Sequence, residues 1–146
     1  MNKISIKGIA IGGLLDVVLT NILALPLSMY VVVSSNVLSL PKAQQGGAMI
    51  AAFHARPALL AIQYAIGVFC SILGGYVAAR IAGRDELLNG ALSSWLCIVS
   101  GIYGALSGTV HESIATTIFW FVISPVVSAA GGYLRLRQAV ATPRTT

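Results

Sequence analysis

Ser71-Ile-Leu-Gly-Gly-Tyr-Val-Ala-Ala-Arg80 closes a run that begins at Ala58 and carries no charged residue before Arg80. A helix rises 1.5 Å per residue and a bilayer's hydrocarbon core is about 30 Å thick, so the stretch 58–79 is long enough to cross it. Tyr76 and Arg80 then fall where an aromatic ring sits at headgroup level and a long cationic side chain snorkels to the lipid phosphates. At 100° per residue, Gly67, Ser71, Gly74 and Ala78 share one face, with Gly75 beside it. Small side chains on a shared face let helix backbones approach, which is how helices pack without a hydrophobic drive between them.

The rest of the chain obeys the same reading. It is 146 residues long, 57% hydrophobic and 9% charged, with mean hydropathy +0.88. A soluble domain of that size leaves too much surface in water to hide so much apolar side chain. Four stretches meet the length for a span: 8–33, 58–79, 87–108 and 113–134. They fill residues 1–146 as a single integral membrane domain and leave no room for a soluble catalytic domain. Lys3 and Lys7 before the first run resemble a secretory leader, but Asp16 and Asn21 interrupt it and no small-x-small cleavage site follows.

If the spans alternate, Lys3, Lys7, Arg80, Arg84, Arg135, Arg137 and Arg144 lie on one side and only Lys42 and Arg56 on the other. Basic loops stay cytoplasmic, so both termini are expected inside. The cations thus mark topology and are not a nucleic-acid surface.

Near the end of the chain, Ser128-Ala-Ala-Gly-Gly-Tyr-Leu-Arg-Leu-Arg137 repeats the opening stretch. A shift of 57 residues aligns His54 with His111 and Arg80 with Arg137, giving eight identities over the 27 positions between. Gly131, Gly132, Tyr133 and Arg137 take the places of Gly74, Gly75, Tyr76 and Arg80. Both copies run outside to inside, so the repeat is parallel. The expected fold is all-α: a four-transmembrane-helix bundle made of two parallel helical hairpins. Gly8 and Gly12 in the first span and Gly101, Gly104 and Gly108 in the third supply further small faces, as does Ser128 in the fourth.

The segment Gly74-Gly-Tyr-Val-Ala-Ala-Arg-Ile-Ala-Gly-Arg84, followed by Leu87-Leu-Asn-Gly-Ala91, resembles the junction of the second and third helices in uncharacterised small four-helix membrane proteins of bacteria and archaea. The resemblance covers about 20 residues. It implies the bundle fold and a prokaryotic inner membrane, and no activity.

Asp16 is the residue most able to carry chemistry. It lies nine residues past Lys7, about 13 Å along the helix, where a charged Asp costs roughly 2.5 to 3.5 kcal/mol on insertion scales. It continues the row Gly8, Gly12, Asp16, Thr20 and should therefore face other helices. Ser71, Cys97 and Ser124 lie at similar depth and offer neutral hydrogen-bonding groups. With no cation there, desolvation favours the neutral acid. Two roles follow: a hydrogen bond that locks the bundle, or a proton or cation site in a path. Asn21 and Gln63 add polar groups suited to interhelical bonds or a polar cavity.

At the outer face His54, His111 and Glu112 could approach a zinc ion, but no further ligand accompanies them and no metal or other cofactor is expected. The loop 34–57, apolar from Ala48 to Ala55, either forms a short interfacial helix or extends the second span until Pro57 kinks it. The reading that results is a non-enzymatic packing or accessory subunit in the lipid bilayer, within a homo-oligomer or larger membrane complex. Its alternative is a small oligomeric transporter or channel with Asp16 in the path.

Overall fold

Ser5 stops the chain from fraying before the first span. Its hydroxyl accepts the Gly8 N–H at 3.2 Å, and its own N–H donates to Asn89 Oδ1 at 2.8 Å. Such a cap satisfies donors that the first helical turn cannot pair internally. In the computed structural model, which describes residues 4–106 and 114–141, helix α1 (Ile6–Ser34) runs from this cap without a break at Pro26.

A 3₁₀ turn at Val37–Ser39 and helix α2 (Lys42–His54) link the first span to the second, with Val37 and Phe53 buried against the bundle. Of the two forms open to this loop, the separate helix is the one adopted. Pro57 begins helix α3 (Pro57–Ala82) at its first turn, where its missing N–H costs nothing. Arg56 ties the corner down: its Nη1 donates to Ser34 Oγ at 2.6 Å and its guanidinium lies 5.9 Å from the Tyr30 ring centre.

Gly83 ends α3 with φ at +64°, the left-handed conformation that glycine adopts without strain. Helices α4 (Glu86–Leu92) and α5 (Trp95–Leu106) then divide the third span, and α6 (Ile114–Ala141) forms the fourth. The last helix runs past 134 because its final turns still have a partner: Tyr76 Oη donates to Gln138 Oε1 at 2.7 Å. Among the described residues there is no strand, and four helical segments are long and apolar enough to cross a membrane.

Glycines set the helix crossings. A Cβ on Gly12 would lie 2.5 Å from the Gly74 carbonyl oxygen, and one on Gly8 would lie 2.7 Å from that of Ala78, so α1 and α3 touch backbone to backbone. The two copies of the Gly-Gly-Tyr motif meet each other where α3 and α6 run parallel: Gly75 faces the Ser128 carbonyl, and Gly131 faces the Ile72 carbonyl and the Tyr76 nitrogen. Gly90 of α4 approaches Gly132, where a Cβ would sit 2.9 Å from the glycine Cα. Packing of this closeness is dispersion gained over long stretches of backbone.

Candidate functional site

On the row Gly8, Gly12, Asp16, Thr20 the first three residues pack on α3, Asp16 against Gly74 and Ser71. Asp16 is 1% exposed. Its Oδ2 accepts from Ser71 Oγ at 2.8 Å and from Cys97 Sγ at 3.3 Å, and its Oδ1 accepts from Thr20 Oγ1 at 3.3 Å. One carboxyl thus gathers α1, α3 and α5, and every donor to it is neutral.

The third span bends beside this carboxyl. Ser93 and Ser94 N–H groups reach back three residues, to Gly90 and Ala91 carbonyls at 3.2 and 3.3 Å, and their hydroxyls donate to the same carbonyls at 2.7 and 2.9 Å. Tightened spacing and hydroxyls bonded back to the helix both bend it. Regular α-helical bonding resumes with Ile98 N–H to Ser94 O at 3.1 Å. Below the bend α4 is pressed onto α6; above it α5 meets α6 far less extensively.

The space so opened is a cavity of about 270 Å³ walled by all four spans. Asp16 and Thr20 come from α1, and Gly67, Val68 and Ser71 from α3. Cys97, Ile98 and Gly101 line it from α5. Helix α6 closes it with Thr117, Ser124 and Val127 and with the rings of Trp120 and Phe121. Among the described residues no lysine or arginine lines it. Trp120 is braced by Tyr64, whose ring centre is 4.9 Å away, and by Phe119 at 5.5 Å. The cavity is not sealed, since Thr117, Trp120, Phe121 and Ser124 keep partial exposure.

Asp16, Ser71 and Ser124 are therefore brought together, with Cys97. Other sequence candidates lie elsewhere. Asn21 is exposed and its Nδ2 donates to its own helix, at Val17 O, 2.7 Å away. Gln63 is half-buried, with its Oε1 buried and unpartnered. Gly67, read as a packing residue, has no atom within 4 Å of a Cβ built on it and opens into the cavity. Gly101 faces Phe121, whose ring edge would be 2.8 Å from a Cβ there. Gly104 is buried, and Ser128 is buried with its hydroxyl unpartnered.

At the C-terminal ends of α3 and α6 Arg80 is exposed and the Arg137 guanidinium lies 5.9 Å from the Tyr133 ring centre. His54 is exposed, with Nδ1 2.9 Å from Ile50 O. His111, Glu112 and Gly108 lie outside the described residues. Among the described residues no three His, Cys, Asp or Glu side chains gather as a metal site.

One polar residue escaped the sequence reading. Asn89 is fully buried; besides accepting from Ser5 N–H it donates to the Arg84 and Asp85 carbonyls at 3.0 and 3.1 Å, pinning the start of α1 to the α3–α4 turn. Its signal was an amide four residues after Asp85 at the start of an apolar run.

The fold defines a class, a multi-pass α-helical membrane protein with a carboxyl-bearing cavity among its spans. Comparison with family models, curated proteins and solved structures finds no match to this chain.

Proposed function

We propose that this protein is a small, non-enzymatic carrier of the prokaryotic inner membrane that takes a solute or cation into the bundle at Asp16. The observation that carries this is the 270 Å³ cavity against the Asp16 carboxyl. A residue serving only as glue accounts for the three hydrogen bonds but not for the space. A bent helix beside an intramembrane carboxyl is also the arrangement by which transporters build sites near the bilayer midplane. In this reading α5 moves on the Ser93–Ser94 bend, because α6 holds it far less than it holds α4.

The test is flux into proteoliposomes, with the parent compared to Asp16→Asn, which keeps shape and removes ionisation. The parent is expected to pass protons or cations, and the variant to lose at least tenfold while eluting and melting like the parent. Absence of flux in both favours the second reading, a packing or accessory subunit of a homo-oligomer or larger membrane complex. Asn21 is what supports that alternative: an exposed amide within a span gains most by meeting another protein surface.

Both termini are proposed to be cytoplasmic, on the seven-to-two split of basic residues. Single cysteines at Gln45 and Ala141, in a background lacking Cys70 and Cys97, test this in intact cells. An impermeant thiol reagent should label position 45 and spare 141; the reverse pattern overturns the assignment.

A further inference from the structure

We infer that the ligand of the cavity is a small organic cation, with one positively charged head on an apolar body of on the order of ten non-hydrogen atoms. The inference rests on the reading of the cavity as a ligand site and adds the chemistry of what fills it.

Charge comes first. Among the described residues Asp16 is the one carboxyl in the cavity wall and no lysine or arginine accompanies it; its three donors are two hydroxyls and a thiol. A buried carboxylate needs a compensating charge, so its oxygens are held by a proton or by the head of a cationic ligand. An anion is repelled by the ionised carboxylate and a neutral ligand leaves Asp16 holding its proton, whereas a cationic head replaces the proton and pairs with the charge. Thr20 is a long 3.3 Å from Oδ1, so that oxygen retains acceptor capacity.

The walls then separate organic from inorganic cations. A hard metal ion asks for about six oxygen ligands in one shell. Here the hydroxyls of Thr20, Ser71, Thr117 and Ser124 come from three different helices, interleaved with Val68, Ile98 and Val127. A bare proton needs no volume at all. An apolar body does use these walls, and the indole of Trp120, held in orientation by Tyr64 and Phe119, offers the surface on which ammonium heads are stabilised. Size follows from volume: at about 30 Å³ for each water's share of liquid, the cavity holds roughly nine waters, or a ligand of on the order of ten heavy atoms.

The probe is benzyltrimethylammonium, a permanent cation of that size, with neopentylbenzene as its uncharged carbon isostere. Radiolabelled benzyltrimethylammonium is titrated onto the full chain in nanodiscs, with protein-free nanodiscs as background. Saturable binding is expected, weakened at least tenfold by Asp16→Asn and several-fold by Trp120→Leu. Neopentylbenzene should compete at least tenfold less well than unlabelled cation; should Asp16→Asn fail to fold, this competition in the parent decides the same point. Equal competition by the isostere overturns the cation assignment and leaves a ligand site indifferent to charge. No saturable binding, with Asp16-dependent flux of protons or alkali cations still present, removes the organic cation alone. No binding and no flux remove both the inference and the carrier reading beneath it.

Discussion

Gly75→Ala is expected to cost the protein its native bundle, whereas Gly67→Ala, eight residues earlier on the same helix, should leave it intact. At position 75 the added Cβ runs into the backbone of Ser128, 2.7 Å from its carbonyl carbon and 3.0 Å from its Cα, and closer still to its oxygen. Backbone has no rotamer by which to yield, so α3 and α6 must part along their whole crossing. Overpacking that a side chain can relieve costs 1–3 kcal/mol; parting two backbones should cost about 3 kcal/mol or more, since the neighbouring contact of Gly131 with Ile72 is lost with it.

At position 67 a Cβ meets nothing within 4 Å, and alanine is the better helix former by roughly 1 kcal/mol. Gel filtration and thermal melting by circular dichroism in mild detergent separate the outcomes. Two variants that both elute and melt like the parent would mean that α3 and α6 do not cross at their glycine motifs.

The contrast between these two glycines marks what the sequence could and could not tell. Four spans followed from length, hydropathy and the lack of charge, because the bilayer imposes a fixed thickness on any chain that crosses it. Counting residues from the basic cluster at Lys7, Arg80 and Arg137 placed Asp16, Ser71, Cys97 and Ser124 at similar depth, and these four line one cavity.

Lateral position was harder to read. Gly67 and Gly74 lie on one helical face and look alike in pattern, yet a helix crossing is a local event. α1 and α3 are closest at Gly12 and Gly74, and by Gly67 the walls have separated. The bend in the third span was hidden for a related reason. Serines are ordinary in membrane helices, and Ser93 and Ser94 bend this one only because both hydroxyls turn back onto its own carbonyls while α4 is held by Gly132. Packing against α6 selects that geometry, and no window of third-span sequence contains it. Asn89 was missed because its partner Ser5 is 84 residues away.

Gly67→Leu is expected to abolish flux and ligand binding, by at least tenfold each, without disturbing the fold. The glycine opens onto the cavity, so a branched side chain placed there has empty space ahead of it and no backbone to displace. It enters from the α3 wall, where Val68 and Ser71 also line the cavity, and takes up volume that a ligand would need while leaving the Asp16 carboxyl chemically unaltered. That separates it from Asp16→Asn, which removes ionisation and keeps the volume. A carrier needs both the charge and the room, so either variant should silence it. Structural glue needs only the hydrogen bonds of Asp16 with Thr20, Ser71 and Cys97, which Gly67→Leu does not touch. Filling a void in a well-packed protein tends to raise its melting temperature, so a variant at least as stable as the parent but inactive identifies the cavity as the working part. Should Gly67→Leu carry solute at the parent's rate, the path does not pass through this space, and the function proposed for it fails.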